Sequence, residues 1–457
     1  MEERLKQLNN RAAAQGQYVL YWMQQSQRAH YNHALEFAVD QANNLRKPLL
    51  VLFVLTGGYP EANLRHYRFM LEGLSDTMKR LRNRGIRMIV LQGEVVKTVV
   101  RASRQACILV TDRGYLRIQR EWRRDIAGAA ECPCIQVESD VVVPIEAVSE
   151  KEQYTAGTIR PRIHRQLEFY LLPIRGKELL FPSLSVEPDV LFPGAGTADA
   201  GPVLAEGNIR LIEDSLELDR SVKPVDWIHG GTTEALARLE DYIDSRLAYF
   251  DERRNDPAED YLSHMSPYLH FGQISALYIA LQVGEANTPA VASYLEELIV
   301  RRELAMNFVY FNPDYDSYQC LPGWAGKTLL EHELDPRPYV YRLNELEQAG
   351  THDDYWNAAQ KELMSRGKMH GYMRMYWGKK ILEWSPGPAE AFETALYLNN
   401  RYSIDGRDAN GFAGVAWCFG KHDRAWSERP VFGKVRYMND RGLERKFRIR
   451  EYVSRIG

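Results

Sequence analysis

The chain has 457 residues, 45% hydrophobic and 26% charged, a usage that excludes a disulfide miniprotein, a collagen-like repeat and a long disordered chain. Its formal net charge is -3, so no global positive field draws in nucleic acid, and any such surface must be a local patch. The length predicts about two or three domains.

In chain order, the N-terminal MEERLKQLNNRAAAQGQ is polar, and no run of about 18 apolar residues occurs anywhere; a cytosolic location is the expectation. Five apolar runs follow: Tyr18 to Met23, Leu49 to Leu55, Ile86 to Leu91, Cys107 to Thr111 and Cys134 to Val137. They predict strands buried on both faces, as a parallel sheet requires, with crossover helices near 31–46, 63–84 and 94–104. The expected first domain, 1–145, is therefore an open, Rossmann-like parallel α/β sheet. Such sheets bind ligands outside the carboxyl ends of their strands, yet this one has neither G-x-G-x-x-G nor a P-loop. The five cysteines (Cys107, Cys132, Cys134, Cys320, Cys418) are odd in number and scattered, so no zinc or disulfide framework follows.

Residues 146–230 are expected to connect two domains, with PGAGTADAGP at 193–202 as a mobile part. After 230 the alternation stops. Helical periodicity over 231–251, 272–285, 290–309, 357–384 and 387–400, with Pro257, Pro267, Pro313 and Pro386 as breakers, predicts an all-helical second domain over 231–457.

Several stretches of that half suit chemistry. RRNDPAEDYLSHMSPYLHFGQIS (253–275) places hydroxyls and backbone donors before a helix, an arrangement that can hold a pyrophosphate. In the next helix Glu297 and Arg301 are spaced for an i,i+4 pair. Trp377 and Trp384 lie seven residues apart on one helical face, about 10 Å along the axis at 1.5 Å per residue, a spacing that suits electron hops and a core stripe alike. GKMHGYMRMYWGKKILEW (367–384) sets Lys368, Arg374, Lys379 and Lys380 among aromatics, which fits a groove that neutralises phosphates and stacks bases, or a half-buried helix with solvated lysines. NNRYSIDGRDANGFAG (399–414) reads as a polar loop that orders a cofactor or makes turns. The histidines fit no metal spacing. From Pro430 onward eight Lys or Arg face three Asp or Glu, a basic edge or a solvated face.

Taken together, RRNDP (253–257), LSHMSPYLHFGQIS (262–275), EELIVRRELAMNFVYFNPDYDS (296–317), THDDYWNAAQKELMSRGKMHGYMRMYWGKKILEWS (351–385) and LNNRYSIDGRDANGFAGVAWCFGKHDRAWSERPVFGKVRYM (398–438) resemble the class II cyclobutane pyrimidine dimer photolyases, over nearly the whole chain. The resemblance implies an antenna-type α/β domain, a helical domain enclosing FAD, and light-driven repair of pyrimidine dimers in double- or single-stranded DNA by a monomer that is cytoplasmic, or nuclear in a eukaryote. It implies that Phe250, Leu262, Ser263, His264, Met265 and Ser266 line the flavin or its phosphates, that Asp405, Gly406 and Arg407 close the site, and that Asn399 lies near the flavin N5. Trp356, Trp377 and Trp384 match electron-transfer tryptophans, and Glu297 matches an active-site carboxyl that, if kept protonated by desolvation, can hydrogen-bond a pyrimidine carbonyl. Trp417, Trp426, Met375 and Tyr376 are candidates for contacting the flipped-out lesion, and Arg254, Asn255, Arg301, Arg374 and Arg436 for holding the DNA backbone. A second chromophore, deazaflavin, folate or flavin, is an open expectation for the first domain. Departures from the family pattern are Phe250 for a commoner Tyr, Met306 for a commoner Asp, and a loop from Trp417 to Asp423 one residue shorter. The alternative reading is a cryptochrome-like blue-light receptor on the same scaffold.

Overall fold

The structure, a computed structural model, describes residues 2–12, 14–187, 204 and 207–457; the PGAGTADAGP tract lies outside the described residues. The chain forms two compact units. One comprises Met1–Val148, Arg165–Glu240 and Met265–Glu285, the other Ser149–His164, Asp241–His264 and Ala286–Gly457.

The first unit is built on a six-stranded sheet. Its strands are β1 (Leu5–Gln7), β2 (Tyr18–Trp22), β3 (Leu49–Leu55), β4 (Arg87–Gln92), β5 (Ala106–Asp112) and β6 (Cys134–Val137), in the order β1-β6-β5-β2-β3-β4. The five apolar runs form β2 to β6, all parallel, because side chains that are apolar on both faces need helices on both faces. Alternation splits them between two cores: Val19, Tyr21, Val51 and Phe53 point to one, Leu20, Trp22, Leu50 and Leu52 to the other. The helices His33–Leu45, Leu64–Asn83 and Val95–Ser103 fall where the periodicity put them. The sheet is not purely parallel, however. The short segment Leu5–Gln7, with one apolar residue, adds an antiparallel edge, Leu5 opposite Val137, which no apolar run announces because an edge strand needs little more than backbone pairing. The Arg117–Ala129 helix was also not expected.

The second unit is helical. Its principal helices are Arg302–Phe311, Gly323–Glu331, Asp354–Arg366, Gly371–Trp384, Pro388–Tyr402, Ala409–Cys418 and Ile449–Ile456. The expected continuous helix over 357–384 is two: Gly367 ends the first in a left-handed conformation (φ 65°), and His370 caps the second, its Nδ1 accepting from the Tyr372 N–H at 3.2 Å. An acceptor imidazole must be neutral, and burial pushes the His370 pKa down to about 4. The Ala409–Cys418 helix runs through a tract expected to be loop; Asp408 caps it, accepting from the Gly411 N–H at 2.6 Å. Among the described residues no helix is long and apolar enough to cross a membrane.

Candidate functional site

The helix break brings the tryptophans together. Asp353 caps Asp354–Arg366 by accepting from the N–H groups of Tyr355 and Trp356, both at 3.0 Å, and so sets Trp356 at the first turn. Trp356 stacks on Trp377 with centroids 6.5 Å apart and planes 5° apart, and meets Trp384 edge-on at 5.8 Å. Trp356 Nε1 donates to the Trp377 carbonyl at 3.0 Å, and Trp377 Nε1 to Gln360 at 2.9 Å. All three rings are at most 2% exposed. Trp377 and Trp384 share a helix face, as the spacing predicts, but Trp356 from a separate helix is what links them. Past Trp384, Tyr341 and His352 lie edge-on at 5.5 and 5.2 Å, and Tyr339, 48% exposed, stacks on His352 at 3.7 Å.

Two further groups of residues cluster in this unit. In the first, Phe250 and Tyr242 each pack on Tyr294 with centroids 5.3 Å apart, and the Tyr294 hydroxyl donates to Ser263 at 3.1 Å. His264, at a left-handed φ of 54°, sits 2.7 Å from Asp260. Burial would raise the Asp260 pKa, but the His264 hydrogen bond and the nearby Arg366 and Lys368 charges outweigh it and hold the carboxyl well below the usual range. Leu262 is half-buried beside them in sequence. In the second, Asn400 Oδ1 accepts from Asn399 Nδ2 at 3.3 Å and from the Arg407 N–H at 2.9 Å, while Ser403 bonds Asp405 at 2.5 Å. Arg374 stands 3.9 Å from Asp405. Gly406 is packed so closely that a Cβ would lie 2.8 Å from the Asn399 carbonyl. Burial first, then the Asp405 charge, pushes the Asp408 pKa up to about 7. Lys368, its pKa lowered chiefly by burial, feels the charges of both Asp405 and Asp260. Met265 and Ser266 belong to the other unit, where Met265 is buried and Ser266 opens the Ser266–His270 helix.

These residues fit a flavin dinucleotide. The aromatic side can take a flat ring, Lys368 and Arg407 can face phosphate oxygens, and the buried Tyr242 hydroxyl has no hydrogen-bond partner among the described residues, as a group aimed at a ligand would not. The replacement of a commoner Tyr by Phe250 leaves a ring over which Arg254 lies at 4.9 Å.

Glu297 departs from expectation. Residues Glu296–Arg301 form a π-helical turn, a device frequent at functional sites, so the i,i+4 pair of Glu297 with Arg301 does not form. Arg301 instead reaches back five residues to Glu296 (3.6 Å) and lies 5.2 Å over the Trp417 ring, while Arg160 clamps Glu296 at 2.7 and 2.9 Å. Glu297 accepts from Arg254 at 2.8 Å with its side chain 42% exposed. It therefore stands beside Arg254 on a part-exposed side chain rather than in a desolvated setting.

Trp426 is 39% exposed, with Arg424 and Arg436 each 5.1 Å from its ring. Asn255 is exposed in the turn after Phe250–Arg253, and Arg374 and Met375 are half-buried. Tyr376, expected at the DNA, is fully buried; its hydroxyl bonds Asp353 and Lys380 lies 5.6 Å over its ring, because it falls on the core side of the Gly371–Trp384 helix. Reasoning from sequence missed Tyr242, Tyr294 and Asp408. The two tyrosines look like any amphipathic-helix residue, whereas Asp408 carried a signal, an Asp three residues before Gly411 at a helix start.

Sheet unit and helical tryptophan unit together define the photolyase–cryptochrome class. The fold matches the crystal structure of an archaeal photolyase from Sulfolobus tokodaii with two FAD molecules, at a TM-score of 0.70 and 16% identity over 96% of this chain and 89% of that one. The family profile described as DNA photolyase matches residues 19–179. Deoxyribodipyrimidine photo-lyase of Methanothermobacter thermautotrophicus is 54% identical over 99% of this chain and 98% of its own length, and that of Potorous tridactylus 40% identical over 97% and 82%. The chain belongs to the DNA photolyase family.

Proposed function

We propose that this protein is a light-dependent DNA repair enzyme, a deoxyribodipyrimidine photo-lyase that binds FAD and splits cyclobutane pyrimidine dimers. The 54% identity to a deoxyribodipyrimidine photo-lyase over nearly the whole chain carries the reading of the substrate, and the buried relay of Trp377, Trp356 and Trp384 supports its flavin part, since indoles within 6.5 Å of a neighbour can pass charge to a photoexcited flavin as a lone core tryptophan cannot. When bound, reduced FAD would supply one electron to the dimer on photoexcitation and take it back once both cyclobutane C–C bonds have opened.

The protein's share is positioning. Phe250, Leu262, Ser263, Tyr294 and Asn399 hold the ring system, Lys368 and Arg407 the phosphates, and Asp405 orients Arg374. Arg254, fixed by Glu297 and lying over Phe250, presents its remaining N–H donors to a pyrimidine carbonyl, where charge develops as the dimer is reduced. Trp417, backed by Arg301, and Trp426, between Arg424 and Arg436, face the lesion and its flanks. Asn255, Met375 and Arg436 complete contacts to the strand, double or single. We assign light gathering to 1–145, connection to 146–230 and catalysis to 231–457, acting as a monomer.

The test is dimer loss from irradiated DNA under blue light with a dark control; equal dimer content in both would reject the reading. An absorption spectrum before and after photoreduction identifies the flavin and any antenna pigment.

A further inference from the structure

The segment from Trp426 to Arg436 doubles back on itself as a hairpin. Trp426 N–H bonds the Lys434 carbonyl at 2.8 Å, and Arg429 and Gly433 exchange two hydrogen bonds at 2.9 and 2.8 Å. Its turn is strained: Val431 has a φ of 67°, a left-handed conformation that is a genuine outlier for a β-branched residue and persists only where its surroundings enforce it. Gly433 (φ 50°) is pressed onto the end of the Gly323–Glu331 helix, where a Cβ would meet Thr328 Oγ1 at 2.2 Å and His332 Cδ2 at 2.9 Å.

One imidazole lies behind this turn. Asp335 Oδ2 accepts from the strained Val431 N–H at 2.8 Å, and the same oxygen is 2.5 Å from His332 Nδ1. His332 Nε2 is 3.2 Å from Glu428, which precedes the turn. Both ring nitrogens thus face carboxylate oxygens. Only the imidazolium can donate to both; a neutral ring sets one lone pair against a carboxylate. We propose that protonated His332 is a positioning residue that holds the Trp426–Arg436 hairpin in its DNA-contacting conformation, so that binding of damaged DNA weakens as His332 loses its proton.

The surroundings agree. Asp335 and Glu428 are the groups that face the ring. Lys434 stands 3.8 Å from Glu428, and Arg337 bonds the carbonyls of Glu333 and Asp335 at 2.7 and 3.1 Å, so neither cation displaces the imidazolium. The hydrogen bond to Asp335, against a smaller effect of burial, and then that to Glu428 raise the His332 pKa. A raised pKa means the clasp is complete below the ordinary histidine value, about 6.5, and is lost as pH climbs through the higher folded value.

The inference rests on the reading that this hairpin faces DNA, and the experiment separates the two. Fluorescence anisotropy measures binding of the full-length holoenzyme to a duplex carrying one thymine dimer, at constant ionic strength, from about pH 6 to pH 9. The parent is expected to lose about tenfold in affinity across the range, while His332→Gln binds about tenfold more weakly at the acid end and stays flat, and His332→Lys, a permanent cation, stays tight throughout. If Trp426→Ala leaves affinity at the parental level, the hairpin does not face DNA and the underlying reading falls. If Trp426→Ala weakens binding but His332→Gln follows the parental pH curve, the role of His332 alone is overturned. Should His332→Gln fail to fold, His332→Lys decides: a parental pH dependence in that variant overturns the proposal.

Discussion

Replacing Trp356 by Phe tests the relay where it is thinnest. Trp356 is fully buried, and its indole N–H bonds the Trp377 carbonyl at 3.0 Å. Losing that hydrogen bond costs about 1 kcal/mol, and the smaller ring leaves a void and weakened ring contacts worth about 1–2 kcal/mol more. A total of about 2–3 kcal/mol lies within the 5–15 kcal/mol that typical domains have, so the variant folds. The electronic effect is larger. Hops of 6.5 and 5.8 Å between centroids are replaced by one passage from Trp377 to Trp384, about 10 Å along the helix axis at 1.5 Å per residue, and tunnelling falls steeply with distance. Transient absorption should show photoreduction of bound FAD slowed sharply. Dimer repair by enzyme whose flavin has been reduced chemically should keep its parental yield, because that electron never crosses the relay. Photoreduction at the parental rate in correctly folded Trp356→Phe would refute the path.

Further outcomes follow from the same contacts. Gly378→Ala gains about 1 kcal/mol of helix propensity, but its Cβ would meet Cys418 Sγ at 2.5 Å; overpacking costs about 1–3 kcal/mol, so a small net destabilisation should appear in thermal melts, and a rise in Tm would show that the two helices part freely. His370, at about 4, is held neutral, so the fold loses stability as pH falls from the ordinary histidine range through that value, by about 3 kcal/mol at pH 4. His370→Asn, which keeps a capping acceptor, should flatten urea-unfolding stability over that window; an unchanged slope would count against the cap. Arg436→Ala should weaken damaged and undamaged DNA alike and reduce the salt slope by about one. Weakening confined to damaged DNA would instead make Arg436 a lesion contact.

The α/β unit was legible because its strands are apolar on both faces, a pattern that specifies their neighbours locally: β3 occupies Leu49–Leu55, the residues of the run itself. The edge strand Leu5–Gln7 was not, since backbone pairing leaves no trace in side chains. In the helical unit the sequence offered candidates for chemistry, and the family likeness attached expected roles to them. It could not say which would meet. Arg301 turns to Glu296 rather than Glu297 because a π turn changes the helical spacing from four to five, and no residue pattern encodes that. Tyr376 looked like its neighbour Met375 until packing turned one inward and left the other half-buried. Tyr242 met Tyr294, and His332 met Glu428, across gaps of 52 and 96 residues closed only by the folded chain. Periodicity and composition act over a few residues and are written in the chain, whereas a site is an intersection of distant segments whose positions are set by the packing of the whole unit.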